Sequence, residues 1–158
     1  MKAIFLDFDG VIRIPAPSFS GRPEAEFCSE RKTRVSRLAE ESGAQIVISS
    51  DWRRKYDRDQ IERILAPQIP SNLLHLDWRT PLIGVDPGST KEESLIPRGA
   101  EILCWLASHP ELLGFVILDD MLSRFFPLMG TNLVSCQLAE GFTEDRYLAA
   151  RNILQQAS

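Results

Sequence analysis

The sequence predicts an α/β fold: a doubly wound parallel sheet of about five strands with helices packed against it. Two observations predict it. Short continuous apolar runs, most of them ended by Asp or Ser, recur along the chain, and amphipathic segments of helical spacing lie between them. Runs of this length suit strands buried on both faces, as strands of a parallel sheet are. The total of 158 residues, 44% of them hydrophobic and 25% charged, fits one domain over 1–158 with enough apolar material for a central sheet.

The first strand is expected over Lys2 to Leu6, closed by Asp7. Pro15, Pro17, Gly21 and Pro23 mark an irregular segment after it. A helix is expected from about Pro23 to Ser42, with Phe27, Val35, Leu38 and Ala39 near one face and Gly43 as its stop. Gln45 to Ile48 gives the second strand, closed by Ser49-Ser50-Asp51. The stretch from Ser49 to Leu65 holds another helix, since Ile61, Ile64 and Leu65 keep helical spacing. A weaker strand runs from about Leu73 to Leu76, and a Pro/Gly-rich loop from Thr80 to Pro97. Arg98 to Ser108 reads as a helix ended by Pro110. Gly114 to Leu118 is the fourth strand, closed by Asp119-Asp120, and a fifth lies near Asn132 to Cys136. A last helix follows Thr143, a residue type suited to an N-cap.

Composition excludes some functions. The net charge of -4 argues against broad electrostatic capture of nucleic acid, though not against a local basic patch. No apolar run approaches the roughly 18 residues a membrane helix needs, so no membrane association is expected. Asp7 and Asp9 interrupt the first apolar run too early for a signal peptide. Cys28, Cys104 and Cys136 are scattered, with no CxxC or Cys/His metal spacing, which suits reduced thiols in the cytoplasm.

In open α/β sheets, ligands bind beyond the carboxyl ends of the strands. The residues there are Asp7 and Asp9, Ser49 and Ser50, and Asp119 and Asp120. Carboxylates converging on one edge raise each other's pKa or require a cation. Mg²⁺, which prefers hard oxygen ligands and retains water, is the simplest such cation. Side chains two apart on an extended strand point the same way, so Asp7 and Asp9 can face one reacting centre, and Gly10 lets the chain turn after them. A nucleophile beside a proton-transfer group is what covalent catalysis with acid/base help requires.

These residues carry a family resemblance. Asp7-Phe8-Asp9-Gly10-Val11 after an apolar strand resembles the first motif of the haloacid dehalogenase (HAD) superfamily. Ile46-Val47-Ile48-Ser49 resembles its second motif, and Val116-Ile117-Leu118-Asp119-Asp120 its fourth. The third, a basic residue near a helix start, is matched by Arg98, with Lys91 as a second candidate. Ser49-Ser50-Asp51-Trp52-Arg53 and Arg98-Gly99-x-Glu101-Ile102-x-x-Trp105-Leu106 are similar to small HAD domains associated with RNA-repair proteins. The resemblance implies a Mg²⁺-dependent phosphomonoester hydrolase with an HAD-like Rossmannoid fold. Asp7 would attack phosphorus and form an aspartyl-phosphate, and Asp9 would protonate the leaving oxygen and later activate water. Ser49, or Ser50 with it, would bond a phosphoryl oxygen, and Arg98 would neutralise phosphoryl charge. Asp7, Asp9 through its carbonyl, Asp119 and Asp120 would hold the metal, although Asp120 can equally orient its neighbours.

Further residues fall in reach of a bound phosphate. Arg13, in the loop after the first motif, can meet a second phosphate or stay solvated. Trp52, Arg53 and Arg54 follow the second motif and can touch substrate, while Trp52 suits packing equally well. Ser49 and Ser50 can also cap the following helix. His75 and His109 show no partner spacing, which fits surface or packing roles. Neither insert between motifs is long enough for a sizeable cap domain, so an open site is expected, able to admit a nucleic-acid end or a small phosphate ester. Two readings of other classes stand beside this one. A catalytically silent HAD-like domain would bind phosphate or a partner, but has no need of an acid/base at Asp9. A signalling receiver also combines clustered Asp with Ser/Thr and Lys, but takes phosphate on an Asp at a later strand.

Overall fold

The computed structural model describes residues 1–15, 25–83 and 97–157. Its centre is a five-stranded parallel sheet: β1 (Lys2–Leu6), β4 (Ala44–Ile48), β5 (Leu74–Arg79), β6 (Gly114–Asp119) and β7 (Leu133–Ser135), in the order β5-β4-β1-β6-β7. A separate antiparallel hairpin joins β2 (Arg13–Pro15) to β3 (Ala25–Phe27). The helices are α1 (Ser29–Ser42), α2 (Arg58–Leu65), α3 (Arg98–Ala107) and α4 (Glu144–Gln156).

The apolar runs are continuous because both faces of the sheet are covered. On β1, Ile4 and Leu6 point into one core with Ile46, Ile48, Val116 and Leu118. Val35 and Leu38 of α1, Ile61 and Leu65 of α2, and Tyr147, Ala150 and Leu154 of α4 close that face. Ala3 and Phe5 point the other way, with Val47 and Ile117, onto Ile102 and Trp105 of α3. This two-sided alternation is what the period of a strand requires. The described residues contain no cap domain.

Several elements differ from the sequence expectation. The helix expected from Pro23 begins only at Ser29, because Ala25–Phe27 pairs with Arg13–Pro15. Phe27 therefore sits in the hairpin, against Phe8 and Trp52, rather than on a helix face. The expected helix between Ser49 and Leu65 is split into a 3₁₀ turn, Asp51–Arg54, and α2, whose start carries a capping box built by Asp57 and Gln60. β5 runs on to Arg79, past the expected Leu76. Thr143 stands at the N-cap of α4 but makes no side-chain cap bond. Gly43 ends α1 in the left-handed conformation at φ 64°, as expected of a C-terminal glycine. All three cysteines are free.

Candidate active site

Strand register builds the site. Leu6 pairs with Ile48 on one side and Leu118 on the other, so Asp7, Ser49 and Asp119 are the next residues on three adjacent strands. Main-chain bonds carry the alignment past the strand ends: Asp7 N–H donates to the Leu118 carbonyl and Ser49 N–H to the Leu6 carbonyl, each at 3.0 Å. This is the carboxyl edge of the sheet, where α/β folds place ligands.

Asp7, Asp119 and Asp120 each present a carboxylate oxygen, and these oxygens lie within 4.8 Å of one another. Asp7 and Asp119 are buried. Burial, together with the neighbouring Asp7 charge, pushes the Asp119 carboxyl up to about 7, against the opposing pull of Arg98. Burial and Asp7 also raise Asp120. The edge therefore holds more negative charge than its protein cation offsets. Three hard oxygens in that state suit Mg²⁺, and the donor set fits it.

Arg98, the first residue of α3, is the buried cation of the site. Its Nη1 contacts Asp7 Oδ2 at 2.7 Å and also bonds Asp119 Oδ2. Its Nη2 lies 3.3 Å from Asp51 Oδ2. Burial disfavours its charge, but Asp7, Asp119 and Asp51 more than reverse that and hold it firmly protonated. Its position at a helix start is otherwise unfavourable for a cation, so the carboxylates account for its place. Asp51 in turn accepts from Arg124 Nη1 at 2.9 Å. The Arg124 hydrogen bond and the charges of Arg98, Arg124 and Arg53 keep the Asp51 carboxyl low despite its burial. The sequence alone assigns no role to Asp51 or Arg124; the one signal for Asp51 is its place in the segment Ser49-Ser50-Asp51-Trp52-Arg53, which is similar to HAD domains of RNA-repair proteins.

The remaining expected residues divide. Ser49 is buried, and its Oγ has no hydrogen-bond partner among the described residues. Ser50 is also buried; its Oγ accepts a long bond, 3.5 Å, from Trp52 N–H at the start of the 3₁₀ turn. Gly10 turns at φ 71°, and a Cβ there would meet Asp120 Oδ2 at 2.5 Å, so glycine lets Asp120 close on the first-motif loop. The Asp9 side chain is not in the acidic trio. It is turned instead to Arg13 Nη1 and Trp52 Nε1.

Arg53, expected within reach of a substrate, is turned into the protein instead. Its side chain has 0% exposure and is spent on the protein itself. Nη1 donates to the carbonyls of Ser49 and Ser50 at 2.7 and 2.9 Å, Nε to that of Thr80 at 3.2 Å, and Nη2 pairs with Glu101. It props up the second-motif loop from beneath. Lys91, the alternative third-motif cation, lies outside the described residues, as does most of the expected Thr80–Pro97 loop. His75 and His109 pack around Trp105, His109 stacking on it with centroids 3.7 Å apart.

The alignment of the four motif regions at one edge agrees with the comparison to protein families. Residues 3–147 match the model described as the HAD domain in Swiss Army Knife RNA repair proteins. The chain belongs to this family. No curated protein and no solved structure matches it. As an HAD domain it is supported as a phosphoesterase-type fold in general, and its five-stranded sheet is that of a small capless Rossmannoid. No helix among the described residues of this HAD domain is long and apolar enough to cross a membrane.

Proposed function

We propose that the domain is a Mg²⁺-dependent phosphomonoester hydrolase acting through an aspartyl-phosphate on Asp7. The observation that supports this best is the single guanidinium of Arg98 lying against both Asp7 and Asp119 beside the unpartnered Ser49 hydroxyl. A purely structural edge has no reason to bury two carboxylates on one cation and leave a hydroxyl unsatisfied.

Asp7 Oδ attacks phosphorus as the ester P–O bond breaks, and the leaving oxygen takes a proton from Asp9. Water then attacks the phosphoryl group, gives its proton to Asp9, and returns Asp7 as a carboxylate with phosphate released. Ser49 Oγ–H and Arg98 donate to phosphoryl oxygens and hold them in place, which is most of what a protein contributes to phosphoryl transfer. Asp7, Asp119 and Asp120 would hold Mg²⁺, and when bound it supplies charge neutralisation at the phosphoryl oxygens. The family's link to RNA repair favours a nucleic-acid end as substrate over a small phosphate ester. A catalytically silent phosphate-binding domain is the alternative.

Purified protein should hydrolyse a generic aryl phosphate only with Mg²⁺ present. Asp7→Asn should abolish turnover, and wild-type activity in that variant or in excess chelator would refute the assignment. A panel of 3′- and 5′-phosphorylated oligonucleotides against sugar and nucleotide phosphates separates the substrate classes.

A further inference from the structure

Asp9 is held quite differently from the other carboxylates of this edge. Oδ1 accepts from Arg13 Nη1 at 2.6 Å and Oδ2 from Trp52 Nε1 at 2.9 Å, so both oxygens are occupied. The two donors differ in freedom. The Trp52 indole is fixed: it stacks on Tyr56 at 5.1 Å and 17°, and meets Phe27 edge-on at 5.1 Å. Arg13 lies on the rim, with 30% of its side chain exposed and its Cζ 5.4 Å from the centre of the Trp52 ring. A tight loop sets the pair up, with Arg13 N–H donating to the Phe8 carbonyl and Gly10 N–H to the Arg13 carbonyl, both at 2.8 Å.

An ion pair this exposed is weak, with side chains 30% and 46% accessible. A phosphate offers the guanidinium a stronger, two-pronged partner. We propose that Arg13 is a specificity-determining residue: it leaves Asp9 for a second phosphate carried on the substrate's leaving group, while Trp52 keeps Asp9 in position. The inference rests on the phosphatase reading above and names what that site selects. A leaving group with its own anion frees Asp9 Oδ1 to face the ester oxygen; one without it leaves Oδ1 engaged. Nucleoside bisphosphates and oligonucleotide ends both carry that chemistry, the latter as the phosphodiester on the terminal sugar.

The test uses adenosine 3′,5′-bisphosphate, adenosine 5′-monophosphate and a 5′-phosphorylated tetranucleotide on the full chain. Wild type should show higher kcat/KM on the bisphosphate and the tetranucleotide than on the monophosphate. Arg13→Met should cut that preference by about tenfold or more, the scale of a charged hydrogen bond, through a fall in kcat/KM on the bisphosphate and the tetranucleotide. Trp52→Phe should lower kcat on all three alike and leave the preference intact. An equal fall on all three substrates with Arg13→Met would mean that Arg13 only braces Asp9, and it overturns the proposal; so does an unchanged preference. Calorimetric binding of the same three compounds on the Asp7→Asn background separates the two levels of inference. If no protein turns over any substrate but Arg13→Met still erases the affinity gain for the second phosphate, the phosphatase reading falls and the anion contact stands. If turnover occurs and neither preference nor affinity responds to Arg13, this inference alone fails. The bisphosphate and tetranucleotide arms distinguish a terminal phosphate from a phosphodiester as the group Arg13 takes.

Discussion

Arg53 and Glu101 form an ion pair beneath the site, with side-chain exposures of 0% and 4%. It joins the loop after β4 to α3, the helix whose first residue is Arg98. The guanidinium also gathers the carbonyls of Ser49, Ser50 and Thr80. Breaking such a pair leaves an uncompensated buried charge, which costs about 3–5 kcal/mol. Glu101→Gln keeps the shape and should lower stability by about 3 kcal/mol in urea unfolding. A loss within about 0.5 kcal/mol, the range of ordinary surface changes, would show that the pair is not what holds the two segments together.

Gly10 joins two features of the edge: a left-handed turn at φ 71° and close contact with Asp120. Gly10→Ala adds strain of about 1 kcal/mol or more and drives Asp120 from its place. The variant should unfold at lower denaturant concentration and bind Mg²⁺ more weakly in calorimetric titration. Unchanged Mg²⁺ affinity would separate Asp120 from the metal.

The sheet was legible in the sequence because both of its faces are buried, which makes each central strand an unbroken apolar run. The carboxyl-edge residues Asp7, Ser49 and Asp119 were legible for a related reason: polarity resumes where the run ends. What was missed is tertiary. β2 and β3 have three residues each, too short for any alternation to register, so Phe27 was absorbed into a helical pattern. Arg53 is as polar in sequence as a rim arginine, and only its pairing with Glu101, 48 positions away, shows that it points inward. Asp51 and Arg124 meet across 73 positions, a distance that no local spacing encodes.

Arg98 touches carboxylates of Asp7, Asp119 and Asp51 with one planar fork. A lysine ammonium carries the same charge but cannot span those partners. Arg98→Lys should reduce kcat on an aryl phosphate by about 10²-fold, with a smaller change in KM, since the loss falls on the transition state. Arg98→Met should be worse and also less stable, because Asp7 and Asp119 then face each other without a protein cation. Turnover of Arg98→Lys near the wild-type level would show that charge alone, not the fork, is needed at this position, and turnover of Arg98→Met near that level would transfer the role to Lys91.

Asp119 gives the protein a pH signature. In protein stripped of divalent metal, its carboxyl is raised from 3.8 to about 7 by burial and the Asp7 charge. Between those values the folded chain keeps a proton that the unfolded chain has released. Stability from this group is therefore full below about pH 4 and is lost as the pH rises through about 7. Asp51 works in the other direction, but its carboxyl is held low, so its contribution fails only in acid below this window. The Mg²⁺ proposed for this edge would bind ionised carboxylates, so the stability it adds should be larger at about pH 8 than at about pH 5. Thermal melts at those two pH values, with chelator and with Mg²⁺, should show metal-free protein melting lower at the higher pH and Mg²⁺ closing the gap. Asp119→Asn cannot titrate, so its metal-free melts should lose most of the slope and its response to Mg²⁺ should shrink. A slope that survives in Asp119→Asn would place the titrating group elsewhere.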